Sequence, residues 1–504
     1  MPATSPNPAP PTALWTVRTS LSPAEPFRTW RFQSSTMDTS IARFRPDRPG
    51  YPNSMATTHA TASPDLSELP PADIRPQRAS ARDTGRILAR VVAPTVGIGL
   101  IKRRPRAMAA AQKLHVDRSG IRLLHDLRAR YGPGPLDLPV PGRSFRLVLE
   151  ANHVGSLLAG TPSPFSPDTT EKDAALRHFQ PHGVLISGGA NRARRRKLNE
   201  TVLEPGRAAH ELAGTWADTI RTEAHEMLSG FPDLDATQFT EHFWTIIRKI
   251  VLGGDTTADR RVTDLLDQLR LNANWAFAHP RREDQRRQFQ SLLDRQLGLD
   301  RPGSLGAAMA NQPADEEDDP TGQVPHWLFA FDAAAIATLR ALALLATHPD
   351  ELAEARREVA EADLSKPQQL PYLRACVLES IRLWPTTPAL LRESTEDTAW
   401  GPEGTSFLIY TPFFHRDPET LPYADSFVPD IWLDGRAKAN PALVPFSAGP
   451  GVCPGRDVVL FTASTLLAAL LQQAGFAPRG TAADLQPGRL PATLNHFGIR
   501  FALS

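Results

Sequence analysis

Near the end of the chain one cysteine stands among glycines, in the run Phe446-Ser-Ala-Gly449-Pro450-Gly451-Val-Cys453-Pro454-Gly455. Three glycines within seven residues let the backbone approach a flat ligand closely and take conformations closed to other residues. A predicted helix, Arg456 to Gln473, follows directly and ends close to Gly475, a residue suited to capping it. A thiol ahead of a helix meets unpaired amides and the positive end of the dipole, and both favour a thiolate. Most isolated cysteines are small buried hydrophobes. Here the glycines and the following helix argue for a metal ligand instead.

Cys376 is the other cysteine. Two cysteines exclude a disulfide scaffold, an all-cysteine zinc site and an iron–sulfur cluster. They suit a reducing, cytoplasmic setting. With 504 residues the chain has room for one large core or two ordinary domains. Lys plus Arg is 56 against 55 acids, so the overall charge calls for neither nucleic acid nor an anionic membrane. Only seven of those basic residues are Lys, and this Arg- and Ala-rich usage suits a GC-rich bacterial genome. The longest early apolar run, Val91 to Ile101, falls short of the roughly 20 residues a bilayer span needs, and Pro94 interrupts it. Although Lys102, Arg103, Arg104 and Arg106 follow, it reads as a short element packed on the domain rather than a transmembrane anchor.

Residues 1–80 are rich in Pro, Ser, Thr and Ala without a sustained period, which predicts a disordered extension. The first 37 residues faintly resemble a transit peptide; a translation start at Met37 or Met55 is the alternative. From residue 85 to 504 the pattern is that of a single domain, mainly α with a minor β-sheet. Helices are expected over Ile121 to Tyr131, Asn191 to Leu203, several times between 208 and 300, and from Pro325 to about Thr347. Two more are expected from Pro349-Asp350 and over Pro371 to Leu383. Ser144 to Ala151, 385–393 and 404–411 read as extended. The acidic run Asp315 to Asp319 reads as a solvated loop.

Four motifs in order carry a family resemblance. Phe446, Gly449, Cys453 and Gly455 match the cysteine loop of the cytochrome P450 family, Phe-x-x-Gly-x-x-x-Cys-x-Gly, position for position. Glu379 and Arg382 form Glu-x-x-Arg on one helix face. Phe427-Val-Pro429-Asp-Ile431-Trp432 resembles Phe-x-Pro-x-Arg-Trp, and Arg192 and Arg196 resemble a Trp/His-x-x-x-Arg helix. The resemblance implies a triangular helical prism around a buried haem b, with Cys453 ligating the iron and Glu379 and Arg382 as buried structural residues. It makes Arg392, Arg196 and Arg192 propionate partners, with His182 a weaker candidate. The remaining charges of the 191–203 helix could face an acidic electron-transfer partner. The sequence departs from the family at three of these motifs, the basic helix among them, where Arg192 replaces the aromatic. Gly451 stands where Arg or His usually contacts a propionate, and Ile431 replaces the Arg that would join Glu379 and Arg382.

The long apolar helix carries Phe329-Ala330-Phe331-Asp332-Ala333 ahead of His348-Pro349. This resembles the family's Ala/Gly-Gly-x-Asp/Glu-Thr, placing a small residue at Ala330, the acid at Asp332 and Ala333 where the threonine would be. In the family a hydroxyl and an acid, with ordered water, deliver protons to bound oxygen. Ala333 lacks that hydroxyl. Asp332 could alternatively be a helix acid paired with an Arg. The resemblance implies a monomeric, soluble, bacterial-type monooxygenase. It would insert one oxygen atom of O2 into a lipophilic small molecule, such as an intermediate of secondary metabolism. Its electrons would come from a separate ferredoxin and ferredoxin reductase. The alternatives are a haem-thiolate isomerase, dehydratase or peroxide-driven peroxygenase, or a catalytically silent haem-binding protein.

Overall fold

The computed structural model describes residues 63–67, 69, 74–230 and 232–504, all within the compact unit Thr57–Ser504. Most of the extension expected over residues 1–80 lies outside the described residues. Its end is engaged rather than disordered. The Asp65 amide donates to the Lys438 carbonyl at 2.9 Å, and a short strand β1 (Gln77–Arg78) pairs with β2 (Leu136–Val140). The strand buries Ala79 immediately after it, which a purely compositional reading of a Pro- and Ser-rich stretch misses.

Helix α1 (Val116–Tyr131) buries Gly120, Ile121, Leu123, Leu124 and Leu127, a helical spacing that presents one apolar stripe. Gly132, at φ +83°, ends it. Strand β3 (Arg143–Leu147) is shorter than expected: residues 148–150 lie outside the strand and lead into α2 (Ala151–Ala159). Next come α3 (Thr170–Leu176), capped by the Thr169 side chain, and α4 (Gly189–Leu203), the basic helix. Helix α5 (Thr257–Ala273) starts in a capping box of Thr256 and Asp259.

Helix α6 (Val324–Thr347) has Pro325 in its first turn, where a missing N–H costs nothing. Pro349 sets its end by holding His348 in an extended conformation, φ −124° and ψ 90°. Long and apolar enough to cross a bilayer, α6 is instead a core helix whose side chains are mostly buried. Helix α7 (Pro371–Leu383) starts on a proline and stops just ahead of Pro385; α8 (Arg456–Gln473) follows the cysteine loop. Helices α6, α7 and α8 pack on one another and form the middle of the larger hydrophobic core.

A second core lies on a six-stranded sheet with order β1-β2-β3-β7-β6-β4, in which β4 is Phe165–Ser166, β6 Ala389–Ser394 and β7 Ser406–Tyr410. Strand β7 runs parallel to β3 and antiparallel to β6. A small sheet of β5 (Asp233–Asp235), β9 (Ile499–Leu503) and β8 (Phe476–Gly480) closes the other side. The architecture is mainly helical with minor sheet.

The acidic run is not the solvated loop expected. Arg194 Nη2 contacts Glu317 at 2.6 Å and its Nε contacts Asp318 at 2.8 Å, while His182 meets Asp319 at 2.7 Å. Charge complementarity between segments 120 residues apart folds the run onto α4. It engages Arg194 by ion pairs and Arg195 through the Glu317 carbonyl.

Candidate haem-thiolate site

The cysteine loop is tied at both ends. The Cys453 amide donates to the Phe446 carbonyl at 2.9 Å, and Arg456, the first residue of α8, donates to the Cys453 carbonyl. Gly449 sits at φ +61°, and a Cβ there would lie 2.4 Å from the Leu158 carbonyl oxygen of α2, so only glycine allows this approach. The Cys453 side chain lies deep yet keeps part of its surface open. Burial pushes its thiol pKa up; the Gly455 amide and the charges of Arg196 and Arg456 pull it back toward the thiolate. A bound metal would replace that proton.

Gly451 has its own physical reason. A Cβ there would come within 2.9 Å of Thr161 Cγ2 and 3.3 Å of Arg392 Nη2. Arg392, on β6, occupies the space that a longer residue at 451 would need. Its Nε donates to Thr161 Oγ1 at 2.9 Å, its Nη1 to the Leu391 carbonyl at 2.9 Å, and its Nη2 to Ser447 Oγ at 3.3 Å. The guanidinium thus bridges the sheet, the end of α2 and the cysteine loop.

Lys172 on α3 converges on the same carbonyl. Its Nζ donates to the Leu391 oxygen at 2.9 Å and to the Pro167 oxygen at 2.7 Å. Arg192, on α4, donates to the Val184 carbonyl at 2.6 Å and lies close enough to act on the charges of both Lys172 and Arg392. Burial and then these neighbouring cations push the Lys172 ammonium well below its ordinary pKa, and burial lowers Arg392 to about 10. Among nearby acids, Glu171 and Glu393 face Arg143, and Asp173 pairs with Arg177. Asp168 is left. Glu171 and Glu393 share the single Arg143, so cations still outnumber carboxylates in this group, and Arg392, Lys172 and Arg192 spend their hydrogen bonds on neutral oxygens alone, which suits them to the two propionates of haem b. The residues therefore fit the cofactor. Arg196 spends its Nε on Glu200 at 2.6 Å but still acts on the Cys453 thiol. His182 is not part of this group, since its half-exposed ring is taken up by Asp319.

The missing third member of the Glu379–Arg382 network has been replaced by the backbone and an indole. Both side chains are 0% exposed, joined by two bonds of 2.7 and 2.8 Å. The remaining Arg382 donors reach the carbonyls of His415, Ala424 and Ser426 at 2.8 to 3.0 Å. Glu379 accepts from the Val428 amide at 2.9 Å and the Trp432 indole N–H at 3.0 Å. Ile431 turns its side chain into the apolar core. Trp432 is visible in its motif, but its role as donor is not.

Along α6, from Val324 to Leu345, His326, Phe329, Ala330, Asp332, Ala333 and Ile336 are the positions not fully buried. They recur at helical spacing, so one stripe of this core helix faces open space. Ala330 and Ala333 are small and leave that space free. Asp332 is held at one edge by Arg270 of α5, at 2.8 Å, with Lys102 at 3.9 Å. Burial disfavours its charge, but Arg270 and Lys102 outweigh it and hold the carboxyl at about 2. The acid is therefore an ionised member of an ion pair. Arg270, Lys102 and Lys172 carry no motif, and only their packing marks them.

A family model described as "Cytochrome P450" matches residues 319–488, the part that holds α6, α7 and the cysteine loop. Over those residues the chain matches the cytochrome P450 family. It is 34% identical over 162 residues to a 2-hydroxyisoflavanone synthase of Glycine max, covering 28% of this chain and 31% of that protein. It is 29% identical over 251 residues to cytochrome P450 81D1 of Arabidopsis thaliana, covering 45% and 49%. The chain thus spans about half, or less, of the curated relatives it matches. A crystal structure of a cytochrome P450 (CYP102L1) superposes with a TM-score of 0.62 at 17% identity, covering 76% of this chain and 94% of that one, a likeness of fold. The family and its fold bind haem b, and in this chain the candidate propionate cations come from α3, α4 and β6.

Proposed function

We propose that this chain is a haem-thiolate monooxygenase that inserts one oxygen atom of O2 into a lipophilic small molecule. The observation that carries this reading is Cys453, held by a glycine-built loop at the start of α8 beside cations suited to two propionates. In the overall reaction a C–H bond becomes C–OH, the second oxygen atom leaves as water, and two electrons and two protons are consumed. Haem b, when bound, supplies the oxygen-activating chemistry, which a thiolate ligand promotes. Cys453 Sγ would hold the metal, and Arg392, Lys172 and Arg192 would hold the propionates. Ala330 and Ala333 leave room beside the α6 stripe. Asp332 holds no mobile proton at neutral pH, so protons must arrive through water or a substrate hydroxyl.

Electrons would come from a separate ferredoxin and ferredoxin reductase. A lipophilic natural-product intermediate is supported by two relatives whose names describe the synthesis of 2-hydroxyisoflavanone and of (+)-piperitol and (+)-sesamin. A cytoplasmic monomer suits this reading. The absence of a hydroxyl at Ala333 and the engagement of Asp332 favour one second reading, a peroxide-driven peroxygenase, since peroxide brings its own protons and electrons.

The test is the reduced-CO difference spectrum of the purified holoprotein. The wild type should give a thiolate-type band at about 450 nm, and Cys453→Ser should lose it. A wild type without that band sinks the proposal. Turnover that needs NAD(P)H and redox partners supports the monooxygenase; turnover on peroxide alone supports the second reading.

A further inference from the structure

Within the α6 stripe one side chain combines depth with an unused hydrogen-bonding atom. His326 lies one turn before Ala330. Its Nδ1 is engaged by the Gln180 side-chain amide at 3.1 Å. Its ring packs against Phe329, with centroids 5.8 Å apart. Phe329 in turn meets Phe179 at 5.6 Å and lies under the Arg270 guanidinium at 5.1 Å. The wall around His326 is thus two aromatic rings and a committed ion pair. Among the described residues no partner occupies Nε2, and that atom is not sealed off from open space. Nδ1 is held by a neighbour, which leaves Nε2 as the unengaged ring nitrogen of a residue on the partly open stripe of α6.

We infer that His326 Nε2 is the polar recognition point of the substrate cavity, selecting lipophilic substrates with a hydroxyl at the end remote from the oxidised carbon. The inference rests on the haem-thiolate reading above. The amide of Gln180 can face Nδ1 through either its oxygen or its nitrogen, leaving Nε2 as acceptor or donor respectively. A hydroxyl satisfies both. A carboxylate, an acceptor alone, suits one of the two arrangements and gains no charge pairing from a ring that burial keeps neutral, its pKa lowered to about 4. Spacing supports a remote contact. His326 lies two turns from Ala333, about 10 Å along the helix axis. Leaving Nε2 unpaired against an apolar ligand end would carry the desolvation penalty of an unsatisfied polar atom, which is what discriminates between ligand ends.

The test uses imidazoles that bind the haem iron and carry alkyl arms of graded length, each with and without a terminal hydroxyl. Soret titrations of the holoprotein give each Kd. The wild type should prefer the hydroxyl form by roughly tenfold at one arm length, the equivalent of about 1.4 kcal/mol. His326→Leu should abolish that preference while leaving the plain alkyl series within roughly twofold, and His326→Gln should keep part of it. Equal preference at every arm length, or a preference that survives in His326→Leu, overturns the inference. The reduced-CO band of each variant reports whether the haem site is intact. Failure of every imidazole to shift the Soret band counts instead against the haem-thiolate reading itself.

Discussion

Replacing Asp332 separates a structural acid from a proton-delivering one. In Asp332→Asn the carboxylate facing Arg270 at 2.8 Å and Lys102 at 3.9 Å becomes a neutral amide. The folded protein lowers the Asp332 pKa from 3.8 to about 2. That shift corresponds to about 2.5 kcal/mol of differential stabilisation of the charged form at neutral pH. The variant also leaves Arg270, 2% exposed, without its main counter-charge, so the full cost is about 2–4 kcal/mol. For a domain of this size, unfolding entropy converts each kcal/mol into roughly 1 °C of Tm. A depressed carboxyl pKa contributes stability in full above 3.8 and loses it as pH falls through about 2. The gap between wild type and variant should therefore be flat from pH 5 to 8. The assay is thermal and urea unfolding of the holoprotein across that window, with Arg270→Met and the double variant completing a cycle. A coupling of about 2 kcal/mol is expected. Additive costs within about 0.5 kcal/mol, or a gap that slopes between pH 5 and 8, refute the ion-pair assignment.

Glu379→Gln should cost about 3–5 kcal/mol, because Arg382 would remain charged and wholly buried. Trp432→Phe removes one donor to that carboxylate and should cost less, about 1.5–3 kcal/mol; unfolding midpoints in the reverse order would contradict the network. Lys172→Met should have opposite effects on the two forms of the protein. Removing a buried amine whose charge is disfavoured by burial and by Arg392 and Arg192 should raise apoprotein Tm, while haem transfer to apomyoglobin should speed up by about tenfold or more. An unchanged transfer rate would remove Lys172 from the propionate group.

Much of the helical frame is legible in the residue order alone. Pro325, Pro349 and Pro371 punctuate the chain by removing N–H donors and restricting the residue ahead, so the starts of these helices follow from local chemistry. The cysteine loop is legible for a related reason, since its glycines mark backbone that must come close to something else. Sheet edges are less legible. The strand expected to reach Ala151 stops at Leu147, and α2 begins at Ala151 and buries Val154, Leu157 and Leu158 in the second core.

The sequence by itself pointed to Cys453 as the candidate ligand and to the departures at Gly451, Ile431 and Ala333, because each is a matter of residue type at a fixed spacing. Tertiary structure decided how the departures are accommodated. Arg392 fills the space that Gly451 leaves, Lys172 arrives from α3 to share its carbonyl, and Trp432 donates in place of the absent arginine. It also turned Asp332 from a candidate proton donor into an ion-pair member. These outcomes depend on which charges burial brings together across tens to hundreds of residues. Coulombic and desolvation energies follow distance and depth, which a linear pattern does not encode.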